Sequence, residues 1–209
     1  MDITFILQQS PFKLTLHLQG ECGYRGERVV TKNGGGLGLQ VQVLISKEEI
    51  AKRVKELGEQ ISNDFCDKDL IVVGILKGAV IFMSDLIREI AIPLEVDFMA
   101  TSSYGQSTKT SGVVQLLKDL DTPIEGRDVL IVEDIIDSGL TLSYLSQLLQ
   151  SRKPASIKTA VLLDKPDRRQ TDFVPDYVGF SIPDQFVIGY GLDFNHKYRE
   201  LPYIGVVNE

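Results

Sequence analysis

The chain has 209 residues, enough for one domain with a hydrophobic core, and its hydrophobic content of 43% is ordinary for a globular protein. The formal net charge of −7 argues against a general nucleic-acid-binding or membrane-surface role, because both need a basic face. Two cysteines, no apolar run of membrane-spanning length and no basic secretory start at Met1–Thr4 together predict a cytoplasmic protein with reduced thiols.

Residues 1–40 differ from the rest of the chain. Apolar and polar residues alternate from Phe12 to Leu18 as in a short strand, and Gly34–Gly36 then breaks any regular structure. The segment is either a β-hairpin arm or a poorly ordered extension, and we favour the extension. The folded domain is expected to occupy residues 41–209.

Helices and strands alternate over the next part of the chain. Ser46 and Glu49 form a capping box, which predicts the start of a helix with apolar residues at helical spacing. β-Branched runs at 70–75 and 94–99 predict buried strands, and a second amphipathic helix separates them. Polar residues 101–112 predict a flexible loop.

The most informative segment is residues 129–141. Its apolar start predicts a buried strand that ends at Glu133 and Asp134, and Asp137 then precedes a Ser–Gly turn and an amphipathic helix. Backbone N–H groups in such a turn bind phosphate, and carboxylates bind sugar hydroxyls and Mg²⁺. The pattern predicts a site for a phosphorylated sugar; the alternative is a solvated acidic strand end followed by an ordinary helix cap.

The remaining elements complete an α/β fold. Residues 157–163 predict a further strand, and from Phe173 onward short strands and turns predict a small hood over the sheet. Alternating strands and helices favour a mainly parallel twisted sheet with helices on both faces. Ligands of such sheets bind beyond the carboxyl ends of the strands, so Lys77, the 133–141 segment and Lys165 are expected in one crevice.

Several segments together resemble the hypoxanthine/guanine branch of the type I phosphoribosyltransferases. The matching segments are Leu76–Gly78, Ser103–Gly105, Glu133–Thr141, Lys165, Val178–Asp193 and Tyr198–Tyr203. Residues 133–141 alone are similar to the family's motif for phosphoribosyl diphosphate (PRPP), whereas Lys165 and residues 183–190 are typical of the purine branch. The resemblance runs from about Val43 to the C-terminus.

The resemblance implies the type I phosphoribosyltransferase fold and a reaction of purine salvage. The enzyme would be a glycosyltransferase that moves the 5-phosphoribosyl group from PRPP to N9 of hypoxanthine or guanine. The products would be IMP or GMP and diphosphate. The resemblance also implies Mg²⁺ as cofactor, and a homodimer or homotetramer that binds neither nucleic acid nor membrane.

The three carboxylates divide between two roles in this family. Glu133 and Asp134 would hold the ribose hydroxyls and a metal ion, because adjacent carboxylates repel each other and a cation or a diol relieves the repulsion. Asp137 would be the general acid/base acting on N7 of the purine. Its alternative role is to cap the following helix, since Asp is a favoured N-cap residue.

The phosphate groups would be bound by two turns. The turn for the 5′-phosphate comprises Ser138, Gly139, Leu140 and Thr141. Lys77 and Gly78 would form the diphosphate loop, in which the family often has a cis peptide before the lysine; the alternative is a solvated turn. Ser103 and Tyr104 would lie at the tip of a lid that excludes water, or in an ordinary flexible loop.

The purine would be recognised by residues of the last third of the chain. Lys165 would donate to the 6-oxo group, Phe186 would stack on the ring, and the Val187 backbone would meet the edge near C2. For the last two the alternative is core packing. Asp193 would bind a second Mg²⁺ and Arg199 the diphosphate, or the two would form a surface ion pair.

Two other functions stay open. A phosphoribosyltransferase for pyrimidine, xanthine or adenine would share the PRPP motif; Lys165 and Phe186 argue against pyrimidine and adenine, but xanthine differs only near C2. A regulator that binds PRPP as an effector and binds nucleic acid is disfavoured by the acidic composition and by the lack of a helix-turn-helix signal.

Overall fold

The computed structural model describes residues 40–103 and 114–208. Residues 1–39 of the predicted extension and the predicted lid residue Tyr104 lie outside the described residues. The strands are β1 Gln40–Ile45, β2 Leu70–Leu76, β3 Leu94–Ser103, β4 Val114–Lys118, β5 Asp128–Ile136, β6 Ser156–Asp164, β7 Tyr177–Ser181, β8 Val187–Ile188 and β9 Ile204–Asn208. The α-helices are α1 Lys47–Asp64, α2 Val80–Glu89 and α3 Leu140–Gln150.

The central sheet has six strands in the order β4-β3-β2-β5-β6-β7. Strands β3, β2, β5, β6 and β7 run parallel to one another, and β4 pairs antiparallel with β3 at the edge of the sheet. The predicted mainly parallel sheet is therefore confirmed. The flexible loop was predicted to start too early, because residues 101–103 continue β3 and pair with β4.

Helices cover both faces of this sheet, as predicted. On one face, α1 and α2 pack against Leu70 and Val72 of β2. On the other face, α3 packs against Ile71 and Val73 of the same strand. Successive residues of β2 thus enter opposite cores, which explains why its sequence is a continuous apolar run rather than an alternating one. No helix within the described ranges has the length and apolar character needed to span a bilayer.

A second, smaller sheet forms the hood. It joins β1 to β9 and β9 to β8, so it combines the first described strand with the last one. The predicted capping box connects β1 to α1: the Ser46 amide donates to Oε2 of Glu49 at 2.8 Å, and the Glu49 amide donates to Oγ of Ser46 at 3.3 Å. The hood is thereby joined directly to the helix layer.

Candidate active site

The acid pair lies on β5 rather than beyond its end. Glu133 is paired with Val161 of β6, and the pairing continues as far as Ile136. The strand was expected to end at the acids but continues two residues beyond Asp134, because β6 extends far enough to pair with Ile135 and Ile136. Because both acids lie on a hydrogen-bonded strand, the positions of their Cα atoms are fixed by the sheet.

Burial makes the two carboxylates electrostatically costly. Asp134 is 8% exposed, and Oε2 of Glu133 is buried with no hydrogen-bond partner among the described residues. Burial, together with the neighbouring charge of Asp134, raises the pKa of Glu133 well above its usual range. Burial also raises the pKa of Asp134, against the opposing hydrogen bond from the Ile135 amide and the charge of Arg199. Hydroxyl donors or a cation would relieve this cost.

The Lys77–Gly78 loop lies directly against Asp134. A side-chain carbon at Gly78 would overlap the carboxylate of Asp134. The peptide bond between Leu76 and Lys77 is cis. On the other side, Gly191 of the hood has a φ of +104°, and a side-chain carbon there would overlap the Gly78 carbonyl. The loop is therefore held between β5 and the hood.

Arg199 brings a positive charge to the same place. Its Nη1 donates to the Gly191 carbonyl, and its Nη2 lies 2.5 Å from Oδ1 of Asp193. Both side chains of this ion pair are only about a quarter exposed, at 28% and 27%. Asp193 also accepts from the His196 amide at 2.8 Å. The alternative that Arg199 and Asp193 pair with each other is therefore confirmed, although both side chains are partly buried.

The predicted phosphate turn forms the start of α3. Gly139 is the N-cap residue with a φ of +83°, and the Leu140 amide is 3.4 Å from Oγ of Ser138. A side-chain carbon at Gly139 would overlap Oγ1 of Thr171 and would need the left-handed backbone region that glycine tolerates best. The first N–H groups of this 11-residue helix are therefore at the turn, together with the partly buried side chain of Thr141.

Asp137 does not cap α3, so that alternative is wrong. Its side chain is instead paired with Arg168, whose Nε donates to Oδ1 of Asp137 at 3.0 Å. The Asp137 carbonyl accepts from Nη1 of Arg169 at 3.0 Å. Neither arginine was singled out from the sequence, because both lie about thirty residues from Asp137 in a charged run that could equally face solvent.

Lys165 lies at the end of β6, next to this pair. It is 8% exposed, and its amide donates to the Ile136 carbonyl at 3.0 Å. Its Nζ is 3.7 Å from Oδ1 of Asp184, whose Oδ2 accepts from Nη1 of Arg168 at 3.2 Å. Asp184 and Arg168 therefore link Lys165 to Asp137, two residues that strand order had predicted to lie near each other. Asp184 was missed as a member of the site.

The two predicted ring-contacting residues differ in burial. Val187 is 6% exposed on β8, so its side chain packs in the core and only its backbone is available for a base. Phe186 is 52% exposed, and its ring meets Phe194 edge-on, with centroids 5.6 Å apart and an interplanar angle of 80°. Core packing is thus excluded for Phe186. Ser103 ends β3, paired with Val114, at the margin of the described residues.

The donor set suits a cation bound jointly with a substrate. In the parts of the chain that the structure covers, no three His, Cys, Asp or Glu side chains converge as a metal cage. Mg²⁺ is usually held by one or two carboxylates, with substrate phosphates and water completing the shell. The orphaned Oε2 of Glu133 and the neighbouring Asp134 match that mode.

The chain is similar to known phosphoribosyltransferases in sequence and in fold. A family model described as the phosphoribosyl transferase domain matches residues 42–195. The chain is 58% identical over 166 residues to the hypoxanthine-guanine phosphoribosyltransferase of Bacillus subtilis, covering 79% of this chain and 92% of that protein. It is 54% identical over 172 residues to the enzyme of the same name from Mycobacterium bovis, covering 79% and 85%. A Staphylococcus aureus hypoxanthine phosphoribosyltransferase structure superposes with a TM-score of 0.78 at 51% identity, covering 80% and 91%.

Proposed function

Since this chain belongs to the phosphoribosyl transferase family, we propose that it transfers the 5-phosphoribosyl group of PRPP to N9 of hypoxanthine or guanine. The observation that supports the proposal is that two sets of candidate groups lie at the carboxyl ends of neighbouring parallel strands. Buried Asp134, next to Glu133 on β5, lies against Gly78, and Lys165 is linked to Asp137 through Asp184 and Arg168.

The first half-site has the groups that PRPP requires. The amides at the start of α3, with Ser138 and Thr141, would bind the 5′-phosphate. The Lys77–Gly78 loop and Arg199 would bind the diphosphate, for which a guanidinium fork is well suited. The acid pair would accept from the ribose hydroxyls and stabilise positive charge that develops at C1′. Glu133 and Asp134 would hold one Mg²⁺ and Asp193 a second, and these ions would supply positive charge to the diphosphate.

The second half-site has the groups that a 6-oxopurine requires. Lys165 would donate to O6, Phe186 would stack on the ring, and the Val187 backbone would meet the C2 edge. As N9 forms its bond to C1′ and the bond from C1′ to the diphosphate oxygen breaks, Asp137 would take the proton from N7. Adenine carries an amine at C6, so two hydrogen-bond donors, that amine and the Lys165 ammonium, would face each other without an acceptor. This pairing favours hypoxanthine and guanine.

The experiment is a direct comparison of bases. The protein is incubated with PRPP, Mg²⁺ and each of hypoxanthine, guanine, xanthine and adenine, and nucleotide and diphosphate are measured. We expect IMP and GMP, with no product from adenine. Product from adenine would overturn the role of Lys165. If the protein bound nucleic acid at physiological salt and formed no nucleotide from any base, a PRPP-responsive regulator would replace the enzyme.

We also propose a cytoplasmic homodimer or homotetramer, and a lid that contains Ser103 and Tyr104. These expectations rest on the family resemblance. Light scattering on the purified full chain measures the assembly, and a monomer at assay concentration would exclude it. Protection of residues 103–112 from protease by PRPP with a nucleoside analogue tests the lid, which is excluded if cleavage is unchanged.

A further inference from the structure

We propose that Arg168 is a positioning residue, which orients the general base Asp137 and sets its spacing from Lys165. The inference rests on the proposed function. Arg168 ends the short 3₁₀ turn Pro166–Arg168 that follows Lys165 directly. Its guanidinium bridges two carboxylates of different loops: Nε donates to Oδ1 of Asp137 at 3.0 Å, and Nη1 donates to Oδ2 of Asp184 at 3.2 Å.

The bond to Asp137 fixes the direction of a group that would otherwise rotate. Asp137 does not cap α3, and its main chain is held separately by Arg169 through the carbonyl. A carboxylate has two oxygens, so a guanidinium on Oδ1 leaves Oδ2 to accept the N7 proton of the purine. A base oriented by a third group is the usual arrangement in proton-transfer sites.

The bond to Asp184 connects this base to the residue that reads O6. Oδ1 of Asp184 lies 3.7 Å from Nζ of Lys165. The side chains therefore form a chain from Lys165 through Asp184 and Arg168 to Asp137. Because N7 and O6 lie on the same edge of a purine, the distance between the Asp137 carboxylate and the Lys165 ammonium must match the distance between N7 and O6. The bridge made by Arg168 holds that distance before the base arrives.

The exposure of the ion pairs that Arg168 forms indicates a role in positioning Asp137 rather than in folding. Arg168 is 50% exposed, Asp137 44% and Asp184 47%. Ion pairs that exposed contribute little to folding stability, because water and salt screen them. Loss of Arg168 should therefore appear in the use of the purine, with folding and PRPP binding left intact.

The test compares Arg168→Gln and Arg168→Lys with wild type, in the full chain. We expect Arg168→Gln to lower kcat/KM for hypoxanthine by about tenfold, as a base held less accurately would, with the KM for PRPP and the melting temperature unchanged. Arg168→Lys should recover part of the loss, since lysine keeps the charge but lacks the planar fork. The matched control is Arg152→Gln, which breaks another partly exposed ion pair, with Asp119, away from Lys165 and Asp137.

A double mutant identifies the path of the effect. If Arg168 acts through Asp137, Arg168→Gln should cause no further loss of kcat in an Asp137→Asn background. The proposal is overturned if kcat/KM for hypoxanthine stays at the wild-type value or rises, if the KM for PRPP changes in parallel, or if the two losses add. If wild type forms no nucleotide from any base, the proposed function fails; if wild type is active and Arg168→Gln equally so, only this inference fails.

Discussion

The PRPP half and the purine half of the crevice are built in different ways. In the PRPP half, buried Asp134 on β5 lies against Gly78, and Gly191 packs against the Gly78 carbonyl from the other side. In the purine half, Arg168 bridges side chains that are close to half exposed. Backbone contacts allow little adjustment, whereas exposed ion pairs rearrange at little cost.

This difference fits the two substrates. PRPP is the same in every turnover of this family, so a rigid site with buried charge suits it. Bases vary around a common ring, so adjustable side chains beside Lys165 would suit their recognition. Substitutions in the two halves should therefore separate the kinetic constants for PRPP from those for the base.

Asp137→Asn should have the largest effect. Loss of a general base commonly costs about 10² to 10⁴ in rate, so kcat should fall within that range while PRPP binding, measured by calorimetry, stays close to wild type. Asp167→Asn, at an exposed aspartate of the neighbouring 3₁₀ turn, is the control. Near-normal turnover in Asp137→Asn would remove Asp137 from the chemistry.

Gly78→Ala should damage the other half. The new methyl group would overlap the carboxylate of Asp134, and a displacement of that kind costs about 10² in kcat/KM for PRPP. Gly126→Ala is the control: its methyl group would meet nothing within 4 Å, although the φ of +74° makes it a modest stability defect. A Gly78→Ala enzyme with a normal KM for PRPP would show that the loop is not rigid.

Phe186→Ala should raise the KM for hypoxanthine and leave the KM for PRPP unchanged. Stacking of a base on an aromatic ring is worth about 1 to 3 kcal/mol, and the half-exposed ring of Phe186 has little other packing to lose. Tyr144→Ala removes a similarly exposed ring from α3 and is the control. Equal changes in both KM values would contradict the division into halves.

Glu133→Gln should give the smallest effect, a gain of about 1 to 2 kcal/mol in the free energy of unfolding of the ligand-free protein. The pKa of Glu133 is raised in the folded state, so the native protein binds its proton more tightly than the unfolded chain does. That contribution to stability is present below the ordinary pKa and is lost as pH rises through the raised one.

Denaturant titration at several pH values measures the effect. The gain from Glu133→Gln should be largest at neutral to alkaline pH and should disappear in acid. Glu125→Gln, at an exposed position of the preceding loop, should show no such trend. PRPP affinity should fall in the Glu133 variant alone. A variant that is less stable than wild type at pH 8 would mean that the buried charge is compensated.

Most strands and helices could be predicted from the sequence because they depend on the residue types within each segment. Apolar runs, the capping box of Ser46 and Glu49, and the acids of the 133–141 segment led to the correct fold class and to a family that the comparisons support. Strand ends were less certain. The extension of β5 through Ile136 depends on pairing with β6, which no local pattern records.

Sequence alone determined which chemical groups this protein has: adjacent acids before a Ser–Gly turn, a lysine after the next strand, and an aromatic residue in the last third. The tertiary structure decided how those groups combine. Gly191 packs against Gly78 from a distant segment. Asp137 does not cap α3; it pairs with Arg168, which also binds Asp184. Such contacts depend on how loops at the same edge of a sheet meet, and residue types along the chain do not encode that meeting locally.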